Sequence, residues 1–235
     1  ESLGSLAGGV AHTLNSILGP MVNYPDLIAR NLPADSALRQ DLEIIKNSAR
    51  KALDIIRDLL TLGRIGNFPM EPMDLNAVVD RALASPATLR LQRGAPLVIV
   101  SRESEPRLPS IRGSPGLLQE LVFNLLVHGY AAMPQGGSLT VSTSRQTLRE
   151  PVAGYELIRP DSYVVLRVRD TGAGVSEQAL NRLFEPFQAS AQPGRGSGLE
   201  LALVYAIVKE HQGFIDVRSA PGQGTDVLVY CPVCQ

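Results

Sequence analysis

A carboxylate followed by two spaced glycines is the first group of residues that could do chemistry. Asp170 opens the run Asp-Thr-Gly-Ala-Gly-Val, directly after residues 163–169, which alternate like a strand. A carboxylate on a tight glycine turn can accept a hydrogen bond from an exocyclic amine such as that of adenine, and the glycines let the backbone approach a flat ligand. Alone, the pattern is weak, because ordinary strand-ending turns have the same composition.

A second glycine-rich run lies further along the chain. Residues 194–199 read Gly-Arg-Gly-Ser-Gly-Leu and open a segment, 198–211, that is predicted to be helical. Spaced glycines before a helix N-terminus can form a phosphate cradle of backbone N–H groups. No strand leads into this run and no Lys-Ser/Thr pair follows it, so it is neither a Rossmann turn nor a P-loop.

His12 is the candidate nucleophile. It lies in residues 6–18, Leu-Ala-Gly-Gly-Val-Ala-His-Thr-Leu-Asn-Ser-Ile-Leu, on a predicted helix. A neutral imidazole is a competent nucleophile near neutral pH. Without the other motifs, a lone histidine on a helix is more often structural or solvated. His211, near a predicted helix end, is interpreted as a cap or a surface residue.

Two N-terminal helices must carry His12. Residues 1 to about 65 are predicted to be helical, with a break at 31–36 around Pro33 and a kink at Gly19-Pro20. Asp35 or Ser36 is expected to cap the second helix. Two antiparallel helices with one apolar seam make half a core, so a second copy is predicted to complete a four-helix dimer. The seam of the second helix comprises Leu38, Leu42, Ile45, Ala49, Ala52, Ile56 and Leu59.

The rest of the chain mixes helix and strand signals. A Gly- and Pro-containing linker, 63–73, separates it from the helices, which predicts domains 1–66 and 74–235. The expected fold is α+β, with the helical hairpin followed by an α/β sandwich that has its helices on one face. Helices are predicted at 74–83, which Asp74 can cap, at 115–133 and at 198–211. Strands are predicted at 97–100, 138–145, 163–169, 214–218 and 226–230.

Composition narrows the function further. The chain has 235 residues and a net charge of -1, which argues against partners such as nucleic acid or an anionic membrane surface. No apolar run approaches a membrane span, and no signal peptide is visible, so the segment is expected to be cytoplasmic. It begins with Glu1 and looks like part of a longer protein, whose upstream sensor and membrane attachment are left open. Cys231 and Cys234 lack a second ligand pair, so incidental thiols are favoured over a zinc or redox site.

The order of these motifs resembles that of sensor histidine kinases. The resemblance covers nearly the whole chain, and it implies a Bergerat-type ATP-binding domain and a homodimeric phosphoacceptor bundle that serves a response-regulator receiver domain. The matching boxes, in order, are the histidine box at 6–18, the asparagine box at 119–137, the first glycine box at 170–174, the phenylalanine box at 184–187, the second glycine box at 194–199 and the closing hairpin at 222–225.

The resemblance also assigns roles to single residues. It implies that His12 is the phosphoacceptor, that Asp170 binds adenine, and that ATP is bound with Mg²⁺. Gly172 and Gly174 would let the base lie against the backbone. The ATP-binding residues that it implies are Asn124, His128, Asp170, Gly172, Gly174, Gly194, Gly196, Gly198 and Leu199.

Three positions depart from the family pattern. His128 stands where the family has a magnesium-binding asparagine, and imidazole suits softer metals. Thr13 stands where an acidic residue follows the phosphoacceptor, and a hydroxyl cannot serve as a base at pH 7. Ser16 stands where phosphatase-competent members carry an amide. These changes leave nucleotide binding possible and predict slow phosphoryl transfer.

Three functions therefore compete. The first is an ATP-dependent protein-histidine kinase that phosphorylates His12 and passes the phosphoryl group to a response-regulator aspartate. The second is a degenerate kinase that acts as a dimeric docking or phosphotransfer module, which Thr13 and His128 favour. The third is another ATPase of the same superfold, such as a chaperone or topoisomerase. Those carry a glutamate four residues before the metal ligand, where this chain has Asn124, so the third is the least favoured.

Overall fold

A helical hairpin forms the N-terminal part of the protein. The computed structural model describes residues 2–95, 97–187 and 197–234, with side chains from Thr13 onward. Helix α1 spans Ser2–Arg30 and helix α2 spans Leu38–Arg64. Helix α1 continues through Pro20 and Pro25 without a break. Within the described residues, none of the helices is long and apolar enough to cross a membrane.

The two helices are connected by a turn and by a hydrogen bond from a buried lysine of α2 to α1. The residue before α2 is Ala37, which makes no side-chain cap, so the predicted cap at Asp35 or Ser36 is wrong. Lys46 of α2 is 9% exposed, and its Nζ donates to Asp26 Oδ1 of α1 at 2.7 Å and to Glu43 Oε1 at 3.0 Å. These hydrogen bonds raise the pKa of Lys46 and keep the buried ammonium charged.

An apolar strip of the hairpin remains in solvent. Ala49 is buried between the helices, whereas Leu38, Ile45 and Leu59 of the predicted seam are 43–56% exposed. A lone hairpin leaves this surface uncovered, which is costly because apolar area favours burial. Further exposed apolar side chains of the hairpin are Ile17, Met21, Tyr24, Leu27, Ile28 and Ile44.

A five-stranded mixed sheet organises the C-terminal part. Its order is β2-β4-β7-β9-β8, where only the β2–β4 pair is parallel. These strands span Val98–Ser104 (β2), Gly137–Thr147 (β4), Ser162–Asp170 (β7), Phe214–Ser219 (β8) and Thr225–Pro232 (β9). Two small pairs lie outside it, Glu71–Met73 (β1) with Ile111–Gly113 (β3) and Val152–Ala153 (β5) with Leu157–Ile158 (β6).

Three helices share one apolar core with this sheet. Asp74 caps α3 by accepting from the Asn76 N–H at 2.9 Å, as predicted. The core contains Leu121 and Leu125 of α5 and Val204 of α7, each at most 2% exposed. The helices span Leu75–Leu83 (α3), Pro86–Gly94 (α4), Pro115–Ala132 (α5), Glu177–Leu180 (α6) and Glu200–Glu210 (α7). The predicted fold class, a helical hairpin followed by an α+β sheet domain, is confirmed; the domain boundaries and the dimer stay predictions.

His211 has a structural place that the sequence did not reveal. It is the C-cap residue of α7 and is only 6% exposed, so the predicted cap is confirmed and the alternative, a surface residue, is wrong. Its Nε2 accepts from the Ser114 N–H at 2.9 Å, and its Nδ1 lies 2.7 Å from the Ile207 carbonyl oxygen. The ring thereby joins the end of α7 to the start of α5, and Gly113 makes room for it, because a Cβ there would lie 2.5 Å from the ring.

Replacing Ile45 and Leu59 by glutamate is expected to convert a dimer into a monomer. Both side chains are exposed and apolar in the single chain, so each added charge would be buried without a partner at a dimer interface. Light scattering at several protein concentrations measures the change. Gln40→Glu with Asn47→Glu, two exposed polar positions of the same helix, is the matched control and should stay dimeric. If the unmodified chain has the molar mass of a monomer at every concentration, the prediction is contradicted.

Candidate functional site

Asp170 ends the central strand β7 with its carboxyl group buried. The residue is 4% exposed, and its Oδ1 accepts from the Gly172 N–H at 2.8 Å and from the Thr225 N–H at 3.2 Å. Both bonds use the same oxygen, which orients the carboxyl group and leaves Oδ2 for another donor. Burial raises the pKa of Asp170, and the two backbone hydrogen bonds partly oppose this shift.

The two glycines after Asp170 are required by close packing. A Cβ on Gly172 would lie 2.6 Å from the Ala132 Cβ at the end of α5. Gly174 has a φ of +66°, and a Cβ there would lie 2.0 Å from the Ala220 carbonyl oxygen. Both positions therefore hold the loop against its protein neighbours. Their predicted role beside an adenine base stays a prediction.

Three polar residues, Glu120, Asn124 and His128, follow one another at helical-turn spacing on α5. We call them the α5 polar row. Asn124 is 3% exposed, and its amide nitrogen has no partner at hydrogen-bond geometry within the described part of the chain. The Glu120 carboxyl lies close enough to interact with this amide. A buried donor without a full partner is costly, and an anionic oxygen would satisfy it.

His128 lies between two carboxylates. The ring is half-buried, and burial lowers the pKa of His128 although the charges of Asp170 and Glu200 both raise it. The imidazole is therefore neutral at pH 7, and it can donate or accept one hydrogen bond at each ring nitrogen. The ring is thus near enough to Asp170 and to Glu200 of α7 for both carboxylates to act on its charge.

The start of α7 presents consecutive backbone N–H groups. Gly198 has a φ of +81°, which only glycine adopts freely, and it is buried together with Ser197 and Leu199. The N–H groups of Ser197 and Gly198 both donate to the Glu200 carboxylate, the second at 2.9 Å. The Leu199 N–H donates to Ser197 Oγ at 3.0 Å. The predicted phosphate-cradle residues Gly198 and Leu199 thus lie at this helix end.

A contact from the helical hairpin reaches the same helix end. Ser197 Oγ donates to Asp58 Oδ2 of α2 at 2.6 Å, and both residues are buried. Burial raises the pKa of Asp58 to about 6, and the charges of Glu200, Glu120 and Asp54 add to the shift, whereas the Ser197 bond opposes it. This contact between the two parts of the chain had no signal in the sequence. Glu200 could have been suspected, because acidic residues favour the first helical turn.

Other predicted residues stand apart from this cluster. His12 and Thr13 lie on α1, and Thr13 is exposed. Phe184 is buried, with its ring 4.8 Å from that of Tyr155 in an edge-to-face arrangement. Gly194 and Gly196 lie outside the described residues, as does the His12 side chain.

The donors at this site suit magnesium in part. Within the described residues, no three His, Cys, Asp or Glu side chains cluster as a metal site. Magnesium commonly takes one or two protein oxygens and completes its shell with phosphates and water. The Asn124 amide and the Glu120 carboxyl can supply such oxygens, whereas His128 offers only nitrogen, which suits softer metals.

Two family models match the chain in this order. A model of the His Kinase A (phospho-acceptor) domain matches residues 2–68, which contain the hairpin. A model of the histidine kinase-, DNA gyrase B- and HSP90-like ATPases matches residues 113–235, which contain the α5 polar row, Asp170 and α7. The chain belongs to the histidine kinase family.

Individual histidine kinases resemble this chain along its whole length. The sensor kinase CckA of Brucella abortus (strain 2308) is 30% identical over 240 residues, which are 99% of this chain and 24% of the relative. The sensor histidine kinase ZraS of Klebsiella oxytoca is 30% identical over 232 residues, which are 99% of this chain and 46% of the relative. This histidine kinase chain therefore spans 24% of the length of one relative and 46% of the length of the other.

Solved structures share the fold. Full-length ShkA in complex with AMPPNP superposes with a TM-score of 0.66 at 21% identity, over 98% of this chain and 46% of that protein. The mycobacterial sensor histidine kinase MprB superposes with a TM-score of 0.54 at 26% identity, over 69% of this chain and 97% of that protein. The hairpin and sheet domain of this histidine kinase thus have the architecture of known members.

Replacing Asp170 by asparagine is expected to weaken binding of ADP by about 1–3 kcal/mol, the cost of mispairing one buried hydrogen bond to a charged group. The asparagine amide would present a donor where an adenine amine needs an acceptor. Isothermal calorimetry measures the change. Asp161→Asn, just before the other end of the same strand, is the matched control and should bind like the unmodified protein. Equal binding by both variants would remove Asp170 from the site.

Replacing Asp58 by asparagine is expected to stabilise the protein at pH 7.5 by on the order of 1–2 kcal/mol. The pKa of Asp58 is raised from 3.8 to about 6 in the fold, so ionisation costs stability as the pH rises from 4 to 6, and the full penalty remains above pH 6. Asparagine keeps an acceptor for Ser197 without the charge. Thermal unfolding should show the gain at pH 7.5 and little gain at pH 4. Asp41→Asn, at the exposed start of the same helix, should show no such pH-dependent gain.

Proposed function

We propose that this chain is the catalytic core of a two-component sensor histidine kinase, which uses ATP to phosphorylate His12 and then passes the phosphoryl group to an aspartate of a response-regulator receiver domain. The observation that carries the proposal is that α5 packs beside Asp170, and that the charges of Asp170 and of Glu200 at the start of α7 both act on His128 of the α5 polar row. This site belongs to an ATPase-type domain, and the phosphoacceptor-type hairpin precedes it in the same chain.

Each part of the site has a task in nucleotide binding. The Asp170 Oδ2 atom accepts a hydrogen bond from the adenine amine, while Oδ1 is held by the hydrogen bonds from the Gly172 and Thr225 N–H groups. The Asn124 amide nitrogen donates to a phosphate oxygen and so gains its missing partner. Bound Mg²⁺ would neutralise phosphate charge, and Asn124 and Glu120 are the residues that would hold it. The AMPPNP bound to the structurally similar ShkA supports a nucleotide as ligand.

The proposed reaction forms a bond between a ring nitrogen of His12 and phosphorus. A lone pair of a neutral His12 ring nitrogen attacks the γ-phosphorus, the bond to the bridging oxygen breaks, and ADP leaves. The other ring nitrogen then carries a proton that must be lost. Thr13 follows His12 where the resemblance implies an acidic base, and a threonine hydroxyl cannot take that proton at pH 7. We therefore expect slow labelling.

The degenerate docking module remains the second candidate function. The observation that favours it is the chemistry around the phosphate end of the site, where His128 supplies a nitrogen in place of an oxygen donor and Glu200 supplies a negative charge. In that case the homodimer binds its receiver-domain partner without turning over ATP. Both candidates share the homodimer, the receiver-domain partner and a cytoplasmic location, which stay predictions.

Replacing His128 by asparagine is expected to increase magnesium-dependent labelling of His12 by γ-labelled ATP, because an amide oxygen replaces a nitrogen donor beside the phosphates. Manganese should partly rescue the unmodified protein, since it tolerates nitrogen ligands better. The label should be lost in acid, as expected of a phosphorylated imidazole, and His12→Gln should abolish it. Nucleotide binding without labelling in any variant, including Thr13→Asp with His128→Asn, would favour the docking module.

A further inference from the structure

The backbone N–H groups that are predicted to bind phosphate already bind a carboxylate of the protein itself. Glu200 is the first residue of α7, and its two carboxylate oxygens accept from two consecutive N–H groups, those of Ser197 and Gly198. The positive φ of Gly198 is part of the conformation that turns both N–H groups toward one carboxylate. Consecutive N–H groups at a helix N-terminus are a binding site for carboxylates and phosphates alike.

Other carboxylates interact with the Glu200 carboxylate, while Arg57 and Arg50 of α2 act on Asp54 among them. Glu200 acts on Asp58 and Asp54 of α2, where it adds to the rise in pKa that burial causes. It also faces His128, which burial keeps neutral, so no cation of the α5 polar row compensates the charge. A nucleotide triphosphate that approaches the start of α7 would meet repulsion from Glu200 and would have to displace it from both N–H groups.

An acidic residue in the first helical turn has a simpler role as a stabiliser of the helix dipole. That role requires only proximity to the helix end. The Glu200 carboxylate instead takes both of the Ser197 and Gly198 N–H groups, which are the donors that the phosphates need. The two roles differ in one measurable respect. A pure helix stabiliser leaves phosphate affinity unchanged or lower when it is removed, whereas a competitor raises phosphate affinity.

We propose that Glu200 is a built-in competitor of the nucleotide phosphates, which lowers the affinity of the site for ATP and ADP and leaves adenosine binding unaffected. The proposal rests on the proposed function, because it assumes that nucleotides bind at this site. It identifies a residue that sets the preference of the site between phosphorylated and unphosphorylated ligands. Binding of phosphates frees the Glu200 carboxylate, which then moves away from the Ser197 and Gly198 N–H groups.

Calorimetry with adenosine, ADP and ATP on the intact chain tests the competitor. Glu200→Gln removes the charge and keeps the shape, and Glu200→Gly removes the side chain. Both should bind ADP and ATP about tenfold more tightly than the unmodified protein, which corresponds to one charge-assisted hydrogen bond no longer being displaced. Adenosine affinity should not change. Glu177→Gln, in the first turn of α6, is the matched control and should leave all three affinities unchanged.

The possible outcomes separate the two proposals. If both Glu200 variants bind ADP no more tightly than the unmodified protein does, and adenosine binding is also unchanged, the competitor proposal is overturned. The proposed nucleotide site would then still stand. An equal gain for adenosine and ADP would also overturn it, because the effect would not concern phosphates. Failure of the unmodified chain and every variant to bind adenosine or ADP would overturn the proposed nucleotide site and the competitor with it. Thermal unfolding checks that the variants are folded, and a destabilised α7 could only lower the affinity.

Discussion

The burial of helix α5 is the constraint on which the site depends. One side of the helix carries Leu117, Leu121 and Leu125 into the core, and these side chains are at most 2% exposed. A helix held so firmly has no freedom to rotate, since turning it would expose apolar area at about 25 cal/mol per Å². His128 of its polar row is therefore held where the charges of Asp170 and Glu200 both act on it. The hydrophobic core positions the polar groups, and the polar groups need not hold one another.

Carboxylates dominate the electrostatics around the start of α7. Asp58 and Glu200 converge on Ser197, one on its hydroxyl group and the other on its N–H group. Burial raises the pKa of Asp58 to about 6, and the negative charge of Glu200 adds to the shift. The helical hairpin and the nucleotide domain thus meet through a contact that is sensitive to charge.

Local patterns in the sequence predicted the elements and the motif order well. The length and periodicity of α5, the cap at Asp74 and the strand before Asp170 are all features of short segments, so they can be recognised without the fold. The partners of His211 and of Asp58 could not be predicted, because residues 97 and 139 positions away supply them. The short helix α4 was missed because its sequence, with Pro86 at its start and Gly94 at its end, resembles a loop. The roles of His12, Asn124 and His128 stay predictions.

The place of β9 in the sheet has a consequence for biosynthesis. This strand lies between β7 and β8, and its first residue, Thr225, supplies one of the two N–H groups that orient Asp170. Before residues 225–232 have been synthesised, the edge of β7 that later pairs with β9 has unpaired backbone N–H and C=O groups along residues 163–169, which are rich in Val and Leu. Open apolar edges of this kind pair readily with other chains. A nascent chain of this protein therefore exposes this edge until its last strand is made, and the edge is covered only when β9 pairs with β7.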